Sequence, residues 1–318
     1  MYKAFFGLKD SPFEVNPNPK YLCLTKEIEE ALASLMYGIE SRKGFITLTG
    51  EVGTGKTTLI NRLLDWLRHR RTRTAFLFNS RINSQQLFDF ILAEFEISCD
   101  LRDKGQQVLK LNRWLLERYR AGENAVLIVD EAQNLSHAVL EEIRLLTNME
   151  TSSEKLIQIV LSGQPELEEK LKLPQLRQLR QRVMLRCKTS PLTKEQIASY
   201  ISERLKIAGG SGAEIFSAKA VETIHMYSLG IPRVVNLLCE HALVNAFAEN
   251  QRVIDARIIE EVAKEFQLGE VELMPTPDNH GLEGDVYDSG VFLQNLGDVL
   301  KSFRVAPQPL KVINPRRK

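Results

Sequence analysis

Residues 50–58, Gly-Glu-Val-Gly-Thr-Gly-Lys-Thr-Thr, constrain the fold of this chain more than any other feature. An apolar, β-branched run at 45–49 precedes them, and apolar residues at helical spacing follow at 59–67. A glycine-rich turn between a strand and a helix directs backbone N–H groups at an anion, and the helix N-terminus adds a favourable dipole. The pattern G-x-x-x-x-G-K-[ST] therefore predicts a loop that cradles the phosphates of ATP.

Every position of this loop is a candidate nucleotide contact. The set is Gly50, Glu51, Val52, Gly53, Thr54, Gly55, Lys56, Thr57 and Thr58. We expect Lys56 to reach the β- and γ-phosphates and to act in catalysis, and the Thr57 hydroxyl to ligate Mg²⁺.

A second apolar run supplies the acids that such a loop needs. Residues 125–129 read as a buried strand on a neighbouring position of the sheet, and Asp130 and Glu131 follow at its carboxyl end. Asp130 is placed to hold Mg²⁺, and Glu131 is placed to polarise the attacking water as a general base. The two motifs together predict ATP hydrolysis.

The remaining pattern predicts an α/β fold with a parallel sheet covered on both faces. Strands are expected at 45–49, 74–79, 125–130, 156–162 and 183–187, with helices between them, and only helices from 193 to 266. The predicted organisation is an extended segment at 1–24, an α/β nucleotide-binding domain at 25–190, a small all-helical lid domain at 191–267 and a disordered, flexible tail at 268–318. Seven acids without a Lys or Arg fill 270–298 and six basic residues fill 301–318, which is typical of a disordered tail. Residues 291–303 could instead form a docking helix.

Composition bears on location. The net charge is +1, the four cysteines form no CxxC pair, and no uncharged apolar run approaches the ~20 residues that a membrane span needs. We therefore expect a cytoplasmic protein, peripheral to the inner membrane only through partners.

Three further candidates depend on neighbouring structure. Ser162 and Gln164 follow the strand at 156–162, and either could touch the γ-phosphate or orient water; a plain Gly-Pro turn is the alternative. Arg233 falls at a predicted helix start, where a cation needs an anionic partner such as a phosphate, unless it is a surface arginine. A dense basic stretch either contains an arginine finger or forms a solvated or DNA-facing helix. Its members are Arg177, Arg180, Arg182 and Arg186.

Together these motifs resemble an AAA+ ATPase. Residues 2–8, 12–13, 17–22, 130–135, 163–167 and 230–239 resemble, more narrowly, the ExeA/GspA group of general secretion pathway ATPases, over about residues 1–267. That resemblance implies a first sensor near Ser162 or Gln164 and a second sensor at Arg233. It also implies a finger acting across subunits at Arg180 or Arg182, with Arg182 preferred, and an N-terminal segment near the adenine.

The resemblance also implies cofactors and partners. They are ATP and Mg²⁺, a homo-oligomer formed with ATP, and a protein partner in a secretion, pilus or exopolysaccharide export apparatus. Members of that group continue into a membrane helix and a peptidoglycan-binding domain, whereas we expect no span in 268–318. The alternative is a DNA-binding regulator of the transposition type (TnsC/TniB), which shares the same core.

Overall fold

The computed structural model describes residues 1–14, 18–78, 80–98, 103–210 and 214–269. Met1–Val262 form one compact unit, and the chain from Ala263 onward is a second, of which only the first residues are described. The predicted tail beyond residue 269, with its docking helix at 291–303, lies outside the described residues.

A five-stranded parallel sheet forms the centre of the first unit, as the sequence predicts. Its strands are β1 (Phe45–Thr49), β2 (Thr72–Leu77), β3 (Asn124–Val129), β4 (Gln158–Gly163) and β5 (Val183–Lys188). Their order is β2-β3-β4-β1-β5. The acid-bearing strand β3 was expected beside the loop strand β1, and this is wrong, because β4 lies between them.

The apolar strands are buried on both faces because successive side chains point to opposite sides. Phe45, Leu127 and Ile159 face one core cluster, and Ile46, Ile128 and Val160 face the other. Helices cover both clusters. Helix α1 (Tyr2–Phe6) packs elsewhere, against the helix at Pro232–Ala248. The covering helices are α2 (Lys26–Glu40), α3 (Lys56–Arg68), α4 (Ser84–Glu94), α5 (Lys104–Arg120), α6 (His137–Leu146), α7 (Pro165–Lys172) and α8 (Arg177–Arg180).

The chain after β5 is helical, as predicted. It contains α9 (Lys194–Ile207), α10 (Ala218–Ser228), α11 (Pro232–Ala248) and α12 (Ala256–Glu265), plus one isolated bridge between Phe216 and Ile254. Thr193 and Gln196 form the predicted capping box of α9, which satisfies backbone donors at its start. We call residues 194–262 the helical region. Within the described residues, no helix has the length and apolarity to cross a membrane.

The N-terminal segment is more folded than the extended conformation expected over 1–24. Besides α1 it contains a 3-10 turn at Pro19–Tyr21, where a proline begins the turn and the Asn18 side chain accepts from Lys20 N at 3.0 Å. The segment packs on the helical region, with Lys9 N donating to Ala208 O at 2.7 Å.

Candidate nucleotide and magnesium site

The predicted phosphate loop joins β1 to α3 at the carboxyl edge of the sheet. Lys56 is the first residue of α3 and is only 6% exposed. Its ammonium donates to Gly50 O at 2.6 Å and to Glu51 O at 2.9 Å. Burial lowers the pKa of Lys56, and the nearby carboxylates of Glu131 and Asp130 oppose that shift. The lysine is therefore held over the loop by the loop's own carbonyl oxygens.

Two loop positions require glycine for different reasons. Gly55 caps α3 with φ 96°, a left-handed conformation that other residues adopt at a cost. Gly53 also has positive φ, and a β-carbon there would lie 2.9 Å from Cβ of Arg233. Arg233 N donates to Gly53 O at 3.2 Å. The structure thus brings the predicted second sensor to the loop.

The metal ligands predicted from sequence meet across the sheet. The Thr57 hydroxyl donates to Asp130 Oδ2 at 3.0 Å, and the Ser162 hydroxyl donates to Asp130 Oδ1 at 2.8 Å. Asp130 is 6% exposed, and burial raises the pKa of its carboxyl while these hydrogen bonds lower it. A carboxylate beside a hydroxyl is a pair of hard oxygen donors of the kind that Mg²⁺ prefers. These residues fit a magnesium ion.

Glu131 follows in a strained conformation. Its φ is 54° and ψ 36°, in the left-handed region. Its backbone N–H donates to Asp130 Oδ1 at 3.0 Å, and its carbonyl oxygen accepts from the Ser80 hydroxyl at 2.6 Å. These contacts turn the chain sharply after β3 and fix where the Glu131 side chain begins.

Two glutamine amides hold the Glu131 carboxylate. Gln133 Nε2 donates to Glu131 Oε2 at 2.6 Å, and Gln164 Nε2 donates to the same oxygen at 3.3 Å. The side-chain oxygen Oε1 of Gln133 accepts from Gln164 N at 3.2 Å. The backbone carbonyl oxygen of Gln133 accepts from the Lys170 ammonium. Sequence reasoning assigned Gln133 no role, although the motif carrying the resemblance included it.

The two sensor candidates occupy different places. Ser162, on β4, is fully buried and bonds to Asp130, whereas Gln164, at the start of α7, bonds to Glu131. The strand β4 lies between β3 and β1, so it puts Ser162 between the acid and the loop. Gln164 is the more exposed of the two, being half-buried.

The candidate fingers lie at the opposite edge of the sheet. Arg180 and Arg182 precede β5, whose far end, Lys188, pairs with Thr49 beside the loop. Six residues of strand separate them from the loop by roughly 20 Å at 3.3 Å per residue. Arg182 Nη1 donates to Thr147 Oγ1 at 2.8 Å, while the Arg180 side chain has no hydrogen-bond or ion-pair partner among the described residues. Neither arginine joins the site of its own chain.

Comparison with known proteins is consistent with this geometry. Residues 39–171 match the model of a family described as AAA domain. The chain is 45% identical over 256 residues to a general secretion pathway protein A from Aeromonas hydrophila, a match that covers 80% of this chain and 46% of that protein. The chain thus spans about half the length of this relative.

Solved structures share the fold at low identity. A Drosophila ORC bound to DNA superposes with a TM-score of 0.62 at 20% identity, over 80% of this chain and 64% of that one. Cdc6p from Pyrobaculum aerophilum gives 0.60 at 18% identity, over 83% and 70%. The RuvB branch migration motor of Thermotoga maritima gives 0.51 at 18% identity, over 76% and 70%. At these identities the likeness concerns the fold alone.

Proposed function

We propose that this chain, which matches an AAA domain model over residues 39–171 and is 45% identical over 256 residues to a general secretion pathway protein A, is an AAA+ P-loop protein that binds ATP with Mg²⁺ and hydrolyses the ATP. The observation that carries the proposal is the meeting of Thr57, Asp130 and Glu131 at one edge of the sheet. Thr57 lies in α3, which follows β1, and the two acids follow β3, which does not neighbour β1; no packing requirement explains two adjacent carboxylates there.

The chain's own groups divide the work of hydrolysis. Lys56 leaves the carbonyl oxygens of Gly50 and Glu51 to bind phosphate, which exchanges two hydrogen bonds to neutral acceptors for contacts with a negatively charged one. Bound Mg²⁺ would neutralise charge on the phosphates, and Thr57 and Asp130 would hold it. Glu131 accepts the proton of the attacking water, and Gln133 and Gln164 keep its carboxylate in place.

Replacing Glu131 tests this assignment. Glu131→Gln keeps the side-chain shape and removes the base, so we expect kcat to fall by at least about 10²-fold while ATP affinity stays within a few-fold. ATPase assays and titration with a fluorescent ATP analogue measure the two quantities. Unchanged turnover would remove Glu131 from catalysis, and loss of binding would show that the substitution disrupts the loop.

Oligomerisation is part of the proposal, because the two predicted fingers, Arg180 and Arg182, do not reach the phosphate loop of their own chain. Arg180 and Arg182 lie at the opposite edge of the sheet, where a neighbouring copy could present them to this loop. A guanidinium there would stabilise charge as the phosphoryl group transfers. The resemblance favours Arg182, but its hydrogen bond to Thr147 must break before it can reach a neighbouring site. Arg180 makes no such bond among the described residues.

The relative supports the biological setting that we propose. General secretion pathway protein A shares 45% identity over most of this chain, and we propose that the chain acts on a secretion, pilus or exopolysaccharide export apparatus. We propose that it works in the cytoplasm, at the inner membrane through protein partners. Co-purification with membrane fractions that depends on ATP and is lost in a Lys56→Ala variant would support this role.

A DNA-binding regulator is the alternative. The basic residues between positions 68 and 73 give this alternative little support, because Arg68 pairs with Asp65, Arg70 with Glu40 and Arg73 with Glu123. Stimulation of hydrolysis by duplex DNA that falls steeply with salt would favour this alternative over an export role.

A further inference from the structure

A threonine outside the phosphate-loop motif contacts the loop from the end of β5. Thr189 follows β5, is 4% exposed, and donates its backbone N–H to Thr49 O at 2.8 Å. Its hydroxyl oxygen lies 2.7 Å from the hydroxyl oxygen of Thr54, inside the loop, and the contact is buried. The end of β5 and the phosphate loop are therefore joined by a side-chain hydrogen bond.

The direction of this bond follows from counting protons. The Thr54 hydroxyl donates to Glu51 O at 2.8 Å. A hydroxyl carries one proton, so Thr54 accepts in its contact with Thr189. The chain of bonds runs from Thr189 to Thr54 to Glu51 O, and each bond polarises the next.

This chain of bonds matters most when nucleotide is bound. Glu51 O also accepts from the Lys56 ammonium at 2.9 Å, and a lysine that binds phosphate gives up that bond. The Thr54 hydroxyl, backed by Thr189, then remains as the side-chain donor to Glu51 O. Thr189 therefore keeps its contact with the loop in the state in which the loop must hold phosphates.

The same segment packs against the first glycine of the motif. A β-carbon at Gly50 would overlap the Thr189 hydroxyl and lie 2.6 Å from its carbonyl oxygen. Further along, Leu192 N donates to Gly230 O at 2.7 Å, just before α11, whose Arg233 N–H bonds to Gly53. The loop is thus contacted on two sides by segments that lead into the helical region.

We infer that Thr189 is a positioning residue for the nucleotide, fixing the phosphate loop through Thr54 and linking it to the helical region. This inference rests on the proposed function. Without the hydroxyl, a buried oxygen of Thr54 loses its donor and the loop loses a support that ATP needs. The effect falls on nucleotide affinity and KM rather than on the chemical step, because Glu131 and Asp130 are untouched.

The test compares Thr189→Val, which keeps the shape, with Thr189→Ser, which keeps the hydroxyl. We expect Thr189→Val to weaken binding of a fluorescent ATP analogue and to raise KM by about tenfold, with kcat changed less than threefold. Thr189→Ser should stay within about threefold of wild type. Thr223→Val is the matched control, since Thr223 is a buried threonine that donates to Lys219 O in the helical region.

Several outcomes overturn the inference. Unchanged affinity in Thr189→Val does so, as does equal weakening in Thr189→Ser or in Thr223→Val. If Thr189→Val does not fold, Thr189→Ala replaces it, and Tm measured with and without nucleotide separates lost stability from lost binding. A wild-type chain that binds no ATP refutes the proposed function itself, whereas normal binding by both wild type and Thr189→Val refutes only the role of Thr189.

Discussion

Glu131 shows how much of the site depends on the surroundings of one residue. Its left-handed backbone is held by Asp130 and Ser80, and its carboxylate by the amides of Gln133 and Gln164. Strain of this kind persists where neighbouring contacts fix it, and it is frequent at functional sites. The proposed base is therefore positioned from both its backbone and its side chain.

Gln133 gives the residue-scale prediction. Gln133→Met keeps the length of the side chain but removes the 2.6 Å bond to Glu131, so the carboxylate loses its shortest hydrogen bond. We expect kcat to fall by about ten- to a hundredfold, part of the 10²–10⁴ that a positioned base supplies, with ATP affinity unchanged. Steady-state ATPase kinetics measure this, with exposed Gln106→Met as the control; an unchanged or higher kcat would contradict it.

At the scale of elements, α2 packs unusually close to the sheet. Gly38 faces β1 and β5, and a β-carbon there would lie 2.6 Å from Cδ1 of both Ile46 and Leu185. The glycine costs α2 some intrinsic helix stability, and this cost is accepted because a larger side chain would force the helix away from the strands. Helix α2 therefore packs closely against the edge strand β5. The chain continues from the end of this strand to Thr189.

Two glycine-to-alanine changes test this packing. Gly38→Ala should lower the free energy of unfolding by about 1–3 kcal/mol, because its methyl group overlaps side chains from two strands. Gly105→Ala, also in a helix, meets one atom, Asp103 Oδ1 at 3.3 Å, and should stay within about 1 kcal/mol of wild type. Urea unfolding of both variants decides; equal stability of the two would mean that α2 shifts at no cost.

At the scale of the whole molecule, a buried arginine joins the N-terminal segment to the helical region. Arg204 Nε donates to Pro12 O at 2.7 Å, and its Nη1 donates to Tyr21 O at 3.1 Å and to Tyr200 Oη at 2.9 Å. Its guanidinium also lies over the rings of Tyr21, Tyr200 and Phe13. The turn at Pro19–Tyr21 contacts α3 as well as α9, so the segment packs against the loop helix and the helical region together.

Removing this arginine should release the N-terminal segment. Arg204→Met leaves the carbonyl oxygens of Pro12 and Tyr21 without their donor, and we expect a loss of about 2–4 kcal/mol in the free energy of unfolding. Limited proteolysis should cut within residues 1–24 sooner than in wild type. Lys206→Met, an exposed change on the same helix, is the control. Wild-type stability and proteolysis in Arg204→Met would show that Arg204 does not hold the N-terminal segment on the helical region.

Mixed oligomers test whether an arginine acts across subunits. Lys56→Ala subunits keep the fingers but lose the loop lysine, and Arg180→Ala or Arg182→Ala subunits keep the loop. We expect the finger variant alone to lose about 10³-fold in kcat and its mixture with Lys56→Ala to recover part of that activity. Mixed oligomers that assemble, as seen by light scattering, but show no recovery for either arginine would refute a role across subunits.

The sequence by itself determined the elements and the two motifs, because these depend on local patterns. Apolar runs predicted all five strands, helical spacing and caps predicted α9 to α11 within two residues, and the motifs predicted Lys56, Thr57 and Asp130 at one site. The loop's need for glycine could also be read locally, at Gly55. The roles of Glu131, Arg180, Arg182 and Arg233 remain predictions.

Only the tertiary structure decided which distant segments meet. It placed β4 between β1 and β3, brought Gln164 to Glu131, and set Thr189 against Thr54. The short helix α1 also escaped prediction, since residues 1–24 were expected to be extended. Strand order and such contacts join residues up to 135 positions apart, and no local periodicity encodes them because they arise when packed faces fix the relative positions of the strands.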